Sequence, residues 1–275
     1  MHYATNVTRD LEITWLAGGH PFDTDAFHSL IHGMPGVSST LVYWPEAEEI
    51  FEPQRLRKFI DETDVLCLYD LPGITFNQGH TPTLFDPSEN VVAGWHQLVE
   101  HGIPILGMHH AIASWPTWPF FAELLKGRFH YVPASLRGVE YPDSGYTPYT
   151  KQEFTVVAPQ HPVCAGLPST FSLTDETYLC PIFSAEVTPL LVTNAPQNTE
   201  VFKSAFAAIR REEQTTWAHP DGVPLVAWTH EVMNSQVVYL QPGDGPEAFA
   251  NPSYQLLVHN AITWLAQTKG GPRGL

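Results

Sequence analysis

The 275-residue chain has few cysteines and few basic residues, and both shortages exclude classes of protein. The three cysteines, Cys67, Cys164 and Cys180, show no C-x-x-C spacing, so we expect neither a disulfide framework nor a thiolate zinc site. Thirteen lysines and arginines stand against 29 aspartates and glutamates, which gives a net charge of −16. Because this charge repels a polyanion, we predict no nucleic-acid partner.

Long apolar runs and phosphate-binding motifs are also missing. No run approaches the roughly 18 residues of a membrane span, and residues 1–8 lack the pattern of a signal peptide. The composition therefore predicts a cytoplasmic protein that does not enter a membrane. Neither G-x-G-x-x-G after a strand nor a P-loop occurs, so we predict no nucleotide cofactor. The absence of G-x-S-x-G disfavours a serine hydrolase.

Apolar runs alternate with helical patterns in the first half of the chain. The predicted strands there are residues 11–17, 38–43, 64–69 and 103–106. Strands that are apolar on both faces and alternate with helices predict a doubly wound, mainly parallel sheet with helices on both faces. The second half is richer in β-structure, with predicted strands at 153–157, 171–179, 187–192, 223–228 and 236–241 and a closing helix at 253–266. We expect one domain over residues 1–275.

Histidines and an aspartate follow three of the predicted parallel strands. His20 follows Gly18-Gly19, Asp70 ends the third strand, and His109 follows the fourth. In a flavodoxin-like order these strands are neighbours, so the three side chains should meet at the carboxyl edge of the sheet, where such folds bind ligands. Enzymes with a nucleophile at this turn carry Ser or Cys, whereas imidazole is a metal ligand and proton acceptor. The turn therefore predicts metal or acid–base chemistry.

Acidic residues on other segments are candidates to complete this site. A carboxylate at the end of a buried strand, as at Asp70, is costly unless it is paired or ligating. Asp175 and Glu176 lie inside a predicted strand, so one of them should face inward. Asp70, Asp175 and Glu176 are candidates to move a proton, and Asp244 is a candidate metal ligand. For each acid, a cap or a salt bridge is the alternative interpretation.

A dense aromatic segment, residues 115–121, follows the histidines. Aromatic rings beside a polar crevice can stack on sugar rings, and they can equally pack in the core. The core interpretation is favoured for Phe120 and Phe121. We expect Trp115 and Trp118 to contact substrate.

Several short segments match a known family when they are taken together in chain order. They are Gly18-Gly19-His20-Pro21-Phe22, Gly107-Met108-His109-His110-Ala111 with Trp118 and Phe121, Gly127-Arg128-Phe129-His130, His161-Pro162-Val163, Gly166-Leu167-Pro168, Asp175-Glu176-Thr177-Tyr178, Pro224-Leu225-Val226-Ala227-Trp228 and Asn251-Pro252 with the residues up to Trp264. The set resembles the ThuA-like trehalose-utilisation family, a branch of the class I glutamine amidotransferase-like superfamily. The resemblance implies a flavodoxin-like α/β fold, a cytoplasmic location and a role in sugar catabolism. We add Phe22 and Tyr178, from these segments, to the expected substrate contacts.

Two departures from the superfamily pattern affect the expected chemistry. No cysteine stands at the turn after residue 108 and no His-x-Glu pair occurs near the C-terminus, so we predict no glutaminase activity. Many ThuA-like chains carry Gly-His after the last strand, where this chain has Gly243-Asp244. A carboxylate in place of imidazole shifts the preference towards harder metals.

These observations predict a sugar-catabolism enzyme that applies metal-assisted acid–base chemistry to a keto-sugar or keto-glycoside. A divalent cation (zinc, manganese or magnesium) held by His20 and His109, with Asp244 or Glu176, would polarise the ketone, and His109 or a neighbouring acid would act in catalysis. Isomerisation, epimerisation and elimination all start in this way. The alternatives are a non-catalytic saccharide-binding or regulatory module on a degenerate amidotransferase scaffold, and a metal-dependent hydrolase. Apolar, aromatic-rich surface helices suggest a homodimer.

Overall fold

The computed structural model describes residues 9–214 and 216–270. Residues 1–8, where the sequence predicts no signal peptide, lie outside this part of the chain. The helices are α1 (Thr24–His32), α2 (Pro53–Glu62), α3 (Glu89–Glu100), α4 (Pro119–Leu125), α5 (Ala205–Arg210), α6 (Pro246–Ala250) and α7 (Pro252–Ala266). The strands are β1 (Leu11–Gly18), β2 (Val37–Tyr43), β3 (Val65–Asp70), β4 (Ile74–Thr75), β5 (Thr83–Leu84), β6 (Ile105–Met108), β7 (Ala134–Leu136), β8 (Val139–Tyr141), β9 (Gly145–Val156), β10 (Thr170–Leu179), β11 (Thr188–Thr193), β12 (Lys203–Ser204), β13 (Leu225–Val232) and β14 (Ser235–Leu240).

Five parallel strands form one half of a ten-stranded sheet. Their spatial order is β2-β1-β3-β6-β14, and every neighbouring pair among them is parallel. This is the strand order of a flavodoxin-like, doubly wound fold. The predicted fold class is confirmed, and β1, β3 and β6 are neighbours as expected.

Helices cover both faces of the parallel half. On one face α1, α6 and α7 bury residues such as Phe27, Phe249 and Leu257 against the sheet. On the other face α2, α3 and α4 bury residues such as Leu56 and Trp95. Both cores exist because the central parallel strands bury side chains on both faces, as β3 does at all six of its residues. Asp23 caps the start of α1, where its side chain accepts the amide hydrogen of Ala26.

The second half extends the sheet with antiparallel strands, in the order β14-β13-β11-β9-β10, and β12 also pairs with β9. Strand β9 begins at Gly145, eight residues before the predicted start. The sequence did not predict this early part of the strand, because residues 145–152 carry no regular apolar alternation. A 3-10 turn at His109–Ala113 replaces a regular helix after β6, and α4 begins only at Pro119. Within the described ranges, no helix has both the length and the apolar character needed to cross a membrane.

Candidate functional site

His109 follows β6 directly and lies fully buried at the carboxyl edge of the parallel strands. Its backbone φ is 46°, a left-handed value that is uncommon for residues other than glycine. The Tyr239 hydroxyl donates to the His109 carbonyl oxygen over 2.6 Å, and Nδ1 of His109 lies 2.8 Å from the carbonyl oxygen of Gln241. Because a carbonyl only accepts, Nδ1 carries the proton in this contact. The backbone carbonyl and the Nδ1 atom of His109 are therefore both fixed, which leaves Nε2 as the ring nitrogen that faces the neighbouring side chains.

Three polar side chains converge on Nε2 of His109. Glu176 Oε2 and Asp244 Oδ1 each lie 3.2 Å from it, and the Tyr178 hydroxyl lies 2.6 Å from it. A ring nitrogen offers either one proton or one lone pair, so Nε2 cannot satisfy three partners at once.

The same atoms have the spacing of a metal-ligand set. One ligand atom each from His109, Glu176 and Asp244 lies within 4.8 Å of the others. Atoms that bind one cation at about 2.1 Å, with angles of about 90° to 110°, are about 3.0 to 3.4 Å apart. The two nitrogen–oxygen distances of 3.2 Å fall in this range. One imidazole and two carboxylates therefore fit a divalent cation such as zinc or manganese.

The charges in this cluster are strongly coupled. Burial acts to lower the pKa of His109, but hydrogen bonds and charges from Asp244 and Glu176 outweigh it and raise the pKa to about 10. Burial acts to raise the pKa of Asp244, but the contact with His109 outweighs it and holds the pKa below its ordinary value. A proton on His109 and a bound cation are thus two ways of balancing the same pair of carboxylates.

Asp175 holds the loop that carries Asp244. Its carboxylate accepts the amide hydrogens of Gly243 and Asp244, over 2.6 and 3.2 Å. Asp175 is buried, which confirms that one acid of the pair faces inward, and burial raises its pKa to about 6. Gly243 has a φ of 125°, and a Cβ atom there would overlap the hydroxyl of Tyr254. Only glycine therefore lets the loop approach so closely.

His20 lies beside this cluster and contacts it through His110. The rings of His20 and His110 are stacked, with centroids 4.8 Å apart, and His110 is buried. Nδ1 of His20 lies 2.8 Å from the carbonyl oxygen of Pro21. Burial, followed by the proximity of His109, lowers the pKa of His20. Among the described residues, the ligand set contains Glu176 where the sequence predicted His20, because β10 brings Glu176 directly over Nε2 of His109.

Two cavities meet at this cluster, and His20, Pro21 and Glu176 line both of them. The first, which we call the aromatic cavity, has a volume of about 380 Å³. Its other lining residues are Phe76, Phe129, Tyr131, Tyr146, Tyr178, Ala205, Ala208 and Ile209. The second, the polar cavity, has a volume of about 330 Å³. Its other lining residues are Phe22, Asp23, Tyr149, Thr174, Asp175, Asp244, Gly245, Pro246 and Glu247.

Besides His109 itself, three predicted site residues lie outside the lining of both cavities. Asp70 is buried at the end of β3 and accepts a hydrogen bond from Trp44 Nε1 over 2.5 Å. Trp115 is buried in the core and packs edge-on against Trp44, with ring centroids 5.4 Å apart. Trp118 stacks on Phe120, with ring centroids 4.6 Å apart. The structure therefore does not bring these side chains to His109, whereas the predicted contacts Phe22 and Tyr178 do line the cavities.

Sequence reasoning missed most of the aromatic wall and the residue that orients His109. Phe76, Tyr131 and Tyr146 belong to loops and to the unpredicted start of β9, where no periodic signal marks them. Gln241 acts through its backbone carbonyl, which any residue could supply. Phe129 was within reach of prediction, since it lies in one of the segments that resemble the ThuA-like family.

Comparisons with known proteins identify the family. The family model ThuA, described as trehalose utilisation, matches residues 54–265. A ThuA-like protein from Bacteroides uniformis has a similar structure, with a TM-score of 0.62 and 18% identity over 96% of this chain and 95% of the other. A ThuA-like protein from Parabacteroides merdae has a TM-score of 0.64 and 13% identity over 96% of this chain and 93% of the other. A cytoplasmic protein from Salmonella typhimurium has a TM-score of 0.57 and 12% identity over 93% of this chain and 99% of the other.

At these identities the solved structures support the fold alone, and a search of curated proteins found no match. The family model spans most of the chain, from α2 to the end of α7, and includes all three members of the proposed ligand set. The chain therefore belongs to the ThuA family of trehalose utilisation.

Proposed function

We propose that the protein is a metal-assisted enzyme that removes a proton next to the ketone of a keto-sugar or keto-glycoside. The observation that carries the proposal is the convergence of Glu176 and Asp244 on Nε2 of His109, at 3.2 Å each, beside two cavities. A divalent cation bound there would polarise the ketone oxygen and acidify the neighbouring C–H bond. His109, Glu176 and Asp244 would hold the cation.

His20 is the residue best placed to accept the proton. It lines both cavities, and its Nδ1 contact with the Pro21 carbonyl leaves the lone pair of Nε2 free. The C–H bond breaks, the proton passes to Nε2 of His20, and the electron pair moves towards the ketone. Return of the proton to carbon gives isomerisation or epimerisation. Departure of an oxygen substituent at the β position, which takes a proton with it, gives elimination.

Asp175 is a positioning residue in this scheme and does not move a proton. Both of its carboxylate oxygens accept backbone amide hydrogens, so we assign it to positioning the Asp244 loop. Glu176 lines both cavities and shares the ligand set, so it contacts both the cation and the substrate in the proposed complex. We leave Asp70 out of the scheme, because its buried carboxylate accepts a hydrogen bond from Trp44 Nε1 and lies outside the cluster of His109, Glu176 and Asp244.

The proposal is tested by measuring metal binding and turnover separately. The full chain is titrated with Zn²⁺ and Mn²⁺ in a calorimeter, and glycosides and their keto derivatives are incubated with it, with and without chelator. His109→Ala should lose both metal binding and turnover, whereas His20→Gln should keep metal binding and lose turnover. Unchanged turnover in His109→Ala, or in the presence of chelator, would overturn the proposal. Saccharide binding without turnover by the metal-loaded wild-type protein would favour the binding-module alternative.

We further propose a cytoplasmic location, in keeping with the description of the similar Salmonella typhimurium protein. A homodimer stays a prediction from the sequence, which size-exclusion chromatography with light scattering would test.

A further inference from the structure

The two cavities that meet at Glu176 differ in the chemistry of their walls. The polar cavity presents the carboxylates of Asp23, Asp244 and Glu247, which can accept hydrogen bonds from sugar hydroxyls. The aromatic cavity presents rings and small aliphatic side chains, with Glu176 and His20 only at the edge that it shares with its neighbour. A substrate that spans Glu176 would therefore place two different chemical groups on its two sides.

The aromatic cavity offers a ligand few polar partners. Glu176 and His20 lie at the shared edge, and the polar groups on the wall are the hydroxyls of Tyr131, Tyr146 and Tyr178. The Tyr178 hydroxyl lies 2.6 Å from Nε2 of His109, a contact that a cation bound to Nε2 would replace. A second hexose ring would bring four or so hydroxyls into this space, and each one left without a partner weakens binding. An aromatic ring needs no such partners and gains contact with the wall.

The wall formed by α5 is held firmly in place. Ser204 caps the helix, because its hydroxyl oxygen accepts the amide hydrogen of Ala207 over 3.0 Å. Asp143 accepts hydrogen bonds from the Ser204 hydroxyl, over 2.5 Å, and from the Phe206 amide, over 2.9 Å. The Ile209 carbonyl oxygen accepts the amide hydrogen of Gly79 over 3.1 Å. These bonds tie α5 to two other segments and fix this wall of the aromatic cavity.

We infer that the aromatic cavity is the subsite for the leaving group, and that it takes an aromatic aglycone in preference to a second sugar. This inference rests on the proposed function and selects elimination among its outcomes. The sugar ring occupies the polar cavity, and its glycosidic oxygen lies towards Glu176. When the proton leaves carbon, the glycosidic C–O bond breaks with its electron pair, the oxygen gains a proton, and a phenol departs through the aromatic cavity.

The test compares the binding of three probes, so that it does not depend on turnover. Phenyl glucoside, methyl glucoside and trehalose are titrated into the Zn²⁺-loaded full chain. Burying the phenyl ring should give phenyl glucoside about tenfold higher affinity than methyl glucoside. Trehalose should bind no better than methyl glucoside. Equal or tighter binding of trehalose than of phenyl glucoside would overturn the inference, as would absence of measurable phenyl glucoside binding.

Substitutions on α5 locate the effect. Ala208 is exposed at the wall of the aromatic cavity, so Ala208→Trp should fill the cavity without disturbing the core. It should abolish the preference for phenyl glucoside and leave the affinity for methyl glucoside within about twofold. Ala207→Trp, one residue away and outside the cavity lining, is the control and should keep the preference. An equal loss for both probes in Ala208→Trp would contradict the assignment.

The outcomes for the subsite and for the proposed chemistry are separable. If phenyl glucoside binds preferentially but no keto derivative is turned over, the proposed chemistry fails and the subsite stands as a binding site. If keto-sugars are turned over but the phenyl preference is missing, the chemistry stands and the subsite is wrong.

Discussion

The Nδ1 atom of His109 lies 2.8 Å from the backbone carbonyl oxygen of Gln241. This contact joins the turn after β6 to the end of β14, its parallel neighbour in the sheet. It fixes the imidazole with Nδ1–H towards the carbonyl and Nε2 towards Glu176 and Asp244. A histidine that donates from one nitrogen in this way is the arrangement commonly found at metal sites, where the backbone partner sets the tautomer and the ring orientation.

The two carboxylates are predicted to be necessary for cation binding. Glu176→Gln and Asp244→Asn each remove one charged ligand atom, so each should lower the affinity for Zn²⁺ by at least about tenfold. Calorimetric titration of the folded variants measures this. Glu247→Gln is the matched control, because Glu247 is exposed and lines the polar cavity but lies outside the ligand set. If all three variants weaken binding equally, general electrostatic attraction explains the affinity, and the assigned ligand set is wrong.

Gly19, next to His20, is predicted to tolerate no side chain. Its φ is 81°, and a Cβ atom would overlap the backbone carbonyl of Leu71. Gly19→Ala should therefore lower the free energy of unfolding by about 3 kcal/mol, through strain and overlap together. Gly36→Ala is the control, since Gly36 has a φ of 71° but free space around it, and strain alone should cost about 1 kcal/mol. Urea unfolding measures both, and equal losses would show that the close approach to Leu71 does not matter.

Asp70 is predicted to make stability depend on pH. Burial raises the pKa of its carboxyl to about 7, although the hydrogen bond from Trp44 acts in the opposite direction. In the unfolded chain the group titrates near its ordinary pKa of about 4, so between about pH 4 and 7 the folded state holds more protons and loses stability as the pH rises.

Asp70→Asn removes this titration while keeping an acceptor for Trp44. Relative to that variant, the wild-type protein should lose up to about 1.4 kcal/mol of unfolding free energy per pH unit across the window from about pH 4 to 7. Urea unfolding of both proteins at several pH values measures the difference. A constant difference from pH 4 to 8 would mean that Asp70 is already ionised at the lower end.

The sequence was sufficient to predict at which edge of the sheet the candidate site lies, but not which side chains cluster there. Apolar runs that stop at Gly18, Asp70 and Met108 mark the ends of neighbouring parallel strands, so the location follows from local patterns. The pairing of His109 with Glu176 joins residues 67 positions apart, on the parallel and antiparallel halves of the sheet. No local pattern encodes how far β10 reaches over the strand ends, and so Glu176 could not be ranked above His20 as a ligand.

The sequence also could not place the two tryptophans after the histidines relative to the cavities, for a similar reason. Arg128 is buried and donates hydrogen bonds to the carbonyl oxygens of Ser114, Trp115 and Trp118. These bonds satisfy the backbone carbonyls of an irregular segment. The tryptophan rings of this segment pack against other aromatic side chains, away from the cavities. A buried arginine paired only with carbonyls leaves no recognisable sequence signal, because its partners are backbone atoms.

Asp175 is predicted to set the affinity of the cation site without touching the cation. Its carboxylate accepts the amide hydrogens of both Gly243 and Asp244, which fixes the direction of the Asp244 side chain. Asp175→Asn keeps the size of the side chain but has only one oxygen to accept with, so one amide loses its partner. The loss of such a supporting contact should weaken Zn²⁺ binding about tenfold, and Thr174→Ala, on the exposed side of the same strand, should leave it unchanged. Calorimetry on both variants, with thermal unfolding to confirm that each is folded, measures the effect. Full Zn²⁺ affinity in a folded Asp175→Asn protein would show that the Asp244 loop holds its position without Asp175.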